Sequence, residues 1–232
     1  STFARLETAF AQQKQFASDA AHELRTPVTV ILTQTQMALS REREAAAYKQ
    51  TVEACQRAAQ RMRRLIETLL ALARYDAGQE VMQRLQLDWA QVVADGAELV
   101  QPLAVEKQVQ IQADLEQVTI QGDTDRLAQV VTNLLTNALQ YNQPQGWVRL
   151  HLRQQDGMAI LKVSNSGRGI NEIDLPRVFE RFYRADKSRT GAANAGLGLA
   201  ICKAIVEGHG GTLEVTSQPD VETCFTVRLP LP

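Results

Sequence analysis

Ser18-Asp19-Ala20-Ala21-His22-Glu23-Leu24-Arg25-Thr26-Pro27 is the stretch on which the first third of the chain turns. It continues a helical pattern whose apolar stripe is Leu6, Phe10, Leu24, Val28 and Ile31. At about 100° per residue, His22 stands about 180° from Ile31, on the side away from a core. Thr26, one turn later, shares that outer side. Pro27 falls inside the pattern and lacks the N–H that would pair with the carbonyl of Glu23, so the spacing predicts a bend there and a free carbonyl beside a solvent-facing imidazole. A neutral imidazole is a competent nucleophile when an acceptor holds Nδ1–H and leaves the Nε2 lone pair exposed. Glu23 and Asp19 are the carboxylates in reach; Glu23, about 100° round the helix, serves only in a suitable rotamer. Read alone, a surface histidine beside a glutamate is most often a surface histidine and nothing more.

Working outward, Val52, Cys55, Ala59, Met62, Ile66, Leu69 and Ala73 repeat at spacings of three and four, a heptad seam. Polar Ser40-Arg41-Glu42-Arg43-Glu44 marks the turn between two long helices. The prediction is an antiparallel hairpin with two apolar stripes and little else to cover them. Pairing two copies into a four-helix bundle buries the remainder, so a homodimer is expected. The alternative is packing on the rest of the same chain.

Glycine separates this half from the next. Residues 1–77 contain none of the 13 glycines, and the first 78 residues hold 11 basic and 8 acidic side chains against 14 and 18 in the remainder. A glycine-free segment rich in Ala, Gln, Leu, Glu and Arg is a helix composition. The later part has turn glycines and short β-branched runs, indicating mixed α/β structure. Helices are predicted over 88–104, 123–141, 174–183 and 197–208, with Asp88 and Asp123 as N-caps. Strands are predicted over 81–87, 108–114, 117–121, 147–154, 158–165, 211–217 and 223–229. The division expected is residues 1–78 as a helical hairpin and 79–232 as an α/β domain, hinged near Gly78.

With 232 residues, 44% hydrophobic and 22% charged, the chain has the composition of a folded soluble protein. No run of about 18 apolar residues offers a membrane span. A net charge of −1 disfavours broad nucleic-acid binding. Cys55, Cys202 and Cys224 are far apart, as are His22, His151 and His209, which disfavours a disulfide framework, a zinc site and an HExxH metalloenzyme and fits a reducing compartment.

The α/β half carries three further signals. Asn133, Asn137 and Tyr141 follow at i, i+4 and i+8 on one helix face, and amide oxygens are hard ligands suited to Mg²⁺. Asn165-Ser166-Gly167-Arg168-Gly169-Ile170 follows a strand-like run, and two glycines there let backbone approach a ligand closely. Gly196-Leu197-Gly198-Leu199 opens a helix, where backbone N–H groups bind phosphate oxygens. Each is weak alone, and none is a GxxxxGK[ST] phosphate loop.

Together they carry a resemblance. Phe16 to Pro27, with its HELRTP string, resembles the H box of two-component sensor histidine kinases. The asparagine helix, the Asn165–Ile170 loop, Phe179-Glu180-Arg181-Phe182-Tyr183-Arg184 and the Gly196–Leu199 segment resemble the N, G1, F and G2 boxes of their Bergerat-type ATP-binding domain, in order. The resemblance implies a dimeric phosphoacceptor bundle followed by an α/β sandwich with a mixed sheet. It implies His22 as phosphoacceptor, Glu23 as assisting acid/base, Thr26 as the residue that positions water for dephosphorylating a response regulator, and Arg184 reaching the γ-phosphate. It implies ATP and Mg²⁺ as cofactors, with Asn137 as metal ligand, Asn133 supporting the phosphate side, Tyr141 packing on adenine or sugar, and Asn165 accepting from the adenine amine. Gly167 and Gly169 with Ile170 would admit the base, residues 171–195 with Tyr183 would form the lid, and Gly196, Leu197, Gly198 and Leu199 would wrap the triphosphate. The partners implied are a response regulator receiver domain and a second copy of the chain, and no nucleic acid. The location implied is the cytosolic portion of a bacterial inner-membrane receptor.

Three positions depart from the family pattern. Asn165 stands where Asp is usual, turning a charge-assisted bond into a neutral one about half as strong. Gln140 stands where many relatives have Lys, and Asn194 replaces a glycine. Weaker nucleotide binding is expected, with Asn165→Asp tightening it. The Leu32–Ser40 stretch and the Asn165 replacement resemble the heavy-metal-sensor subgroup. Two rivals remain at this point. A gyrase- or chaperone-type ATPase carries Glu where Asn133 stands and leaves the H box without a role; a scaffold or phosphatase-only regulator would not phosphorylate His22.

Overall fold

A computed structural model describes residues 2–185 and 195–232, with side chains described from residue 14 onward. The chain divides near residue 73 into two compact units.

The first unit is the hairpin. Helix α1 runs Thr2–Leu39, continuing through Pro27, and α2 runs Ala45–Asp76, with the turn where the polar run predicts it. On α2, Thr51, Ala58, Leu65 and Leu72 are buried at a seven-residue spacing, with Ala71 buried beside the last of them and Cys55, Met62 and Leu69 half-buried between. Pro27 is buried on α1, and Leu24, Ile31 and Ala38 are half-buried on the same face. The Cys55 thiol lies 4.0 Å from the Ile31 carbonyl across the seam. The predicted seam is thereby split: Cys55, Met62 and Leu69 belong to it, whereas Val52 and Ile66 are exposed, as are Ala59 and Ala73. Two adjacent heptad registers coexist on α2, and one hairpin covers only the first.

The second unit begins with the last residues of α2. Strand β1 (Leu85–Asp88) pairs antiparallel with β3 (Thr119–Gly122). A five-stranded sheet has the order β2-β4-β5-β7-β6, from Gln110–Leu115 (β2), Trp147–Gln155 (β4), Met158–Asn165 (β5), Thr212–Gln218 (β6) and Glu222–Pro230 (β7). Its β2–β4 pair is parallel and the rest antiparallel, so the sheet is mixed as predicted. Helices α3 (Trp89–Glu106), α4 (Thr124–Gln140) and α5 (Gly198–Gly208) cover one face. Alternation places Val148, Leu150, Leu152, Ala159, Leu161, Val163, Phe225, Val227 and Leu229 beneath them, all buried. The other face is polar and rich in cations, with Arg149, His151, Arg153, Lys162 and Arg228, the last four lining a cleft of about 360 Å³ together with Asp156, Met158 and Ile160.

Both predicted caps form. The Asp88 carboxylate accepts from the Ala90 N–H at 3.0 Å, and Asp123 accepts from that of Arg126 at 3.1 Å. The helix expected over 174–183 does not form; a single 3-10 turn, Leu175–Arg177, takes its place. Phe182 adopts φ of +61°, which no α-helix accommodates, and its N–H donates to the Gly196 carbonyl at 2.9 Å instead of to a preceding turn. Among the described residues no helix is long and apolar enough to cross a membrane.

Candidate functional site

The two units bring separate parts of the candidate chemistry, and each is built by its own elements.

On the hairpin, His22 is exposed, as the periodicity predicts, and so is Thr26. The Thr26 hydroxyl donates to the His22 carbonyl at a long 3.4 Å, one turn back on the same helix face. Glu23 turns the other way. Its Oε2 accepts from Arg61 of α2 at 3.2 Å, with both side chains about 30% exposed. Asp19 is engaged by Gln15 at 2.9 Å. Arg61 carried no motif in the sequence. Its signal was a charged residue one turn from Ala58 and from Leu65, inside the face that packs.

In the second unit, α4 is the wall against which the nucleotide signals assemble. Its buried face is Leu127, Val130, Val131, Leu134, Leu135, Ala138 and Leu139, which leaves Asn133 and Asn137 half-buried side by side on another. Tyr141 caps the helix and is 41% exposed, offering its ring. At one end, Gly167 (φ +147°) lies so close that a Cβ there would stand 2.4 Å from the Tyr141 carbonyl. A Cβ on Gly169 (φ +74°) would meet the backbone of Pro219 at 2.7 Å. These glycines are therefore required by protein packing at the loop itself, before any base is considered. Ile170 donates its N–H to the Ser217 hydroxyl at 2.9 Å, which fixes the end of the same loop.

Asn165 ends β5 on the helix-covered face, in register with Ala159, Leu161 and Val163, and is 5% exposed. Its Nδ2 donates to the Ser166 carbonyl at 2.7 Å. A reversed amide would set two oxygens against each other at that distance, so Oδ1 is the atom available to a ligand. Ser166 is a second residue the sequence reading missed. Its hydroxyl donates to Asn142 Oδ1 at 2.8 Å and accepts from the Trp147 N–H at 2.8 Å, while Asn142 Nδ2 donates to the Trp147 carbonyl at 3.0 Å. This closed network ties the end of α4 to the start of β4 and to the glycine loop. A serine between Asn165 and Gly167 was the only hint.

Midway along α4, Asn133 meets the second glycine segment. Its Nδ2 lies 3.5 Å from the Gly198 carbonyl, a marginal hydrogen bond, and it also contacts the Cys202 thiol. Burial pushes that thiol up to about 12, the Asn133 hydrogen bond pulling weakly the other way. Gly196 has φ of +71°, and a Cβ there would lie 2.7 Å from the Phe182 backbone. Gly198 differs, since a Cβ would meet only Asn133 Cγ at 3.9 Å. Leu197 precedes α5 and supplies no side-chain cap, and Leu199 follows in its first turn, so neither residue satisfies the opening N–H groups, the kind of groups an anion binds.

Tyr183 is held by the acceptor Asp174 at 2.5 Å and by the Arg177 guanidinium, 4.3 Å above its ring. The bond to Asp174 raises its phenol above the usual range. Arg184 is half-buried nearby in sequence, while the Arg181 guanidinium pairs with Asp76 at 2.5 Å. Residues 186–194 of the expected lid, including Lys187, Arg189, Gly191, Ala192, Ala193 and Asn194, lie outside the described residues.

Among the described residues no cluster of three acidic, His or Cys side chains could cage a metal. A single amide oxygen on α4, that of Asn137, fits a cation that retains its waters and arrives with phosphate oxygens, as Mg²⁺ does.

Comparison with known proteins finds two family matches, one in each half of the chain. Residues 12–78 match the His Kinase A (phospho-acceptor) domain, and residues 122–232 match the histidine kinase-, DNA gyrase B-, and HSP90-like ATPase family. The sensor protein IrlS of Burkholderia pseudomallei is 37% identical over 227 residues, 97% of this chain and 49% of that one. The chain thus spans about half the length of the curated relatives it matches. The mycobacterial sensor histidine kinase MprB is 31% identical, with a TM-score of 0.56, covering 63% of this chain and 97% of the solved one. Histidine kinase ThkA, solved in complex with response regulator protein TrrA, shares the fold at a TM-score of 0.73 over 100% of this chain and 67% of that one, at 18% identity. A phospho-acceptor hairpin with an outward histidine, followed by an ATPase sandwich whose asparagine helix meets two glycine segments, places the chain in the sensor histidine kinase family.

Proposed function

We propose that this chain transfers the γ-phosphoryl group of ATP to His22 and passes it on to an aspartate of a response regulator receiver domain. The observation that carries the reading is the exposed His22 on a hairpin joined to a unit whose asparagine helix and uncapped α5 suit a nucleotide. Phosphoryl transfer needs positioning and charge neutralisation more than covalent machinery. The first-turn N–H groups of α5 would accept phosphate oxygens, Asn165 Oδ1 would accept the adenine amine, and Tyr141 would cover the base or sugar. Asn137 would hold Mg²⁺, which offsets phosphate charge when bound. Arg184 would reach the γ-phosphate. Thr26, its proton turned toward the His22 carbonyl, would leave a hydroxyl oxygen to orient water for dephosphorylating the regulator.

Homodimerisation through the hairpin is part of the proposal. Val28, Leu32, Val52, Ile66 and Leu70 are exposed on the described helices, and a second copy would cover them. The regulator would dock on the hairpin near His22; ThkA, which shares the fold, is solved in complex with a response regulator. We further propose that the chain is the cytosolic part of a membrane receptor of the heavy-metal-sensor subgroup.

Incubation with γ-labelled ATP tests the central step. Acid-labile, base-stable label on the wild type that disappears in His22→Gln supports the kinase. Free phosphate released without labelled protein would instead indicate an ATPase, a reading disfavoured because Asn133, where a water-activating Glu is needed, is no general base.

A further inference from the structure

A side-chain amide can read a purine in either of two ways. With its oxygen forward it accepts from an amine at the six position of the ring; with its nitrogen forward it donates to a carbonyl there. At Asn165 the Ser166 carbonyl makes the choice, taking the Nδ2 donor at 2.7 Å and leaving Oδ1 without a partner among the described residues. That carbonyl belongs to the peptide that leads into Gly167, and a glycine leaves a peptide plane free to turn. Its direction therefore depends on how firmly the serine on its other side is held.

Ser166 is held at three points. Its N–H donates to the Trp147 carbonyl at 3.1 Å, and its hydroxyl accepts from the Trp147 N–H at 2.8 Å and donates to Asn142 Oδ1 at 2.8 Å. Asn142 is fixed in turn, its Nδ2 donating to the Trp147 carbonyl at 3.0 Å and its Oδ1 accepting from the Gln143 N–H at 2.9 Å. Ser166 is 4% exposed, so water is a poor substitute for a lost partner.

We propose that Ser166, anchored by Asn142, is the positioning residue that makes the base site select a 6-amino purine over a 6-oxo purine. The proposal rests on Asn165 facing the base, as in the function proposed above. A 6-oxo purine would set its oxygen against Oδ1. The amide cannot turn over to meet it, because Oδ1 would then oppose the Ser166 carbonyl. Released from its anchors, that carbonyl can swing away with Gly167, and Asn165 can present Nδ2 instead.

The test titrates the full chain, with Mg²⁺, against ATP and against inosine triphosphate, which carries a carbonyl where ATP carries the amine. Wild type is expected to prefer ATP by at least about tenfold, since a fixed acceptor meets an acceptor. Ser166→Ala, and separately Asn142→Ala, should bring that preference below about threefold, losing affinity for ATP and gaining it for inosine triphosphate. Ser166→Thr, which keeps the hydroxyl, should restore it. A merely structural loosening weakens both nucleotides alike, so an unchanged preference in the alanine variants would overturn the proposal, as would a wild type that binds the two equally. A wild type that binds neither would overturn the nucleotide reading itself. Should Ser166→Ala fail to fold, Asn142→Ala carries the same prediction.

Discussion

At Asn165 a single amide orientation governs how the base would be read. Its NH₂ is committed to the Ser166 carbonyl at 2.7 Å, so Oδ1 is the acceptor. Replacing it with Asp has two opposed consequences. A charged acceptor strengthens the bond to an adenine amine. The second carboxylate oxygen, however, would oppose the Ser166 carbonyl where a donor now sits. Asn165→Asp is therefore expected to tighten ATP by less than tenfold, below about 1.4 kcal/mol by titration calorimetry; weaker binding would mean that the clash with Ser166 dominates. The acceptor position itself was legible, because the residue type and its place before Gly167 point to it. The orientation was not, since it depends on a peptide carbonyl one residue on. Arg61 was illegible for a related reason: a heptad tells which residues share a face but not which of them finds a countercharge 38 residues away.

Among the elements, the start of α5 separates two glycines that the sequence treats alike. Gly196 holds φ of +71° against the Phe182 backbone, and Gly198 opens the helix with free space above it. An L-residue in the left-handed region costs about 1–2 kcal/mol, before any clash. Gly196→Ala should thus lower the thermal midpoint and weaken ATP together. Gly198→Ala should leave the midpoint within about 0.5 kcal/mol of wild type and weaken ATP alone, because the added methyl stands only where a phosphate would approach. Equal thermal losses in the two variants would refute this distinction. The elements with strong local signals, the caps at Asp88 and Asp123 and the alternating strands, follow the sequence closely. The 174–183 segment does not. Its composition permits a helix, but the long-range bond from Phe182 to the Gly196 carbonyl overrides that preference. On α2 the heptad period was legible and its register was not, for Thr51 is buried beside an exposed Val52, a difference a periodicity shared by neighbouring positions cannot resolve.

Across the whole second unit, one buried imidazole links distant parts of the chain. His209, 3% exposed, donates from Nδ1 to the Ile205 carbonyl at 2.7 Å and accepts at Nε2 from the Asp123 N–H at 3.0 Å. It thereby fastens the end of α5 to the start of α4. The bond at Nε2 needs the neutral ring, since a protonated Nε2 cannot accept, and burial holds its pKa below 6.5 against the opposing pull of the Ile205 carbonyl. The unfolded chain therefore takes up a proton that the folded one refuses, so stability is full above about pH 6.5 and declines as the pH falls below it. The thermal midpoint is expected to drop between pH 7.5 and 5.5, and His209→Gln should flatten that slope; an unchanged slope would reject this role for His209. This role was not legible in the sequence, because nothing local marks a ring whose partners lie at the ends of two helices.

The burial of Cys202 also shapes what chemistry can be performed on the protein. Sealed under α4 with its thiolate suppressed, it is closed to alkylating reagents, whereas half-buried Cys55 and Cys224 stay within their reach, one thiol in each unit. The native molecule thus carries its own pair of attachment points for spectroscopic rulers, able to register movement of the nucleotide-holding part against the hairpin during a turnover cycle without a single engineered cysteine.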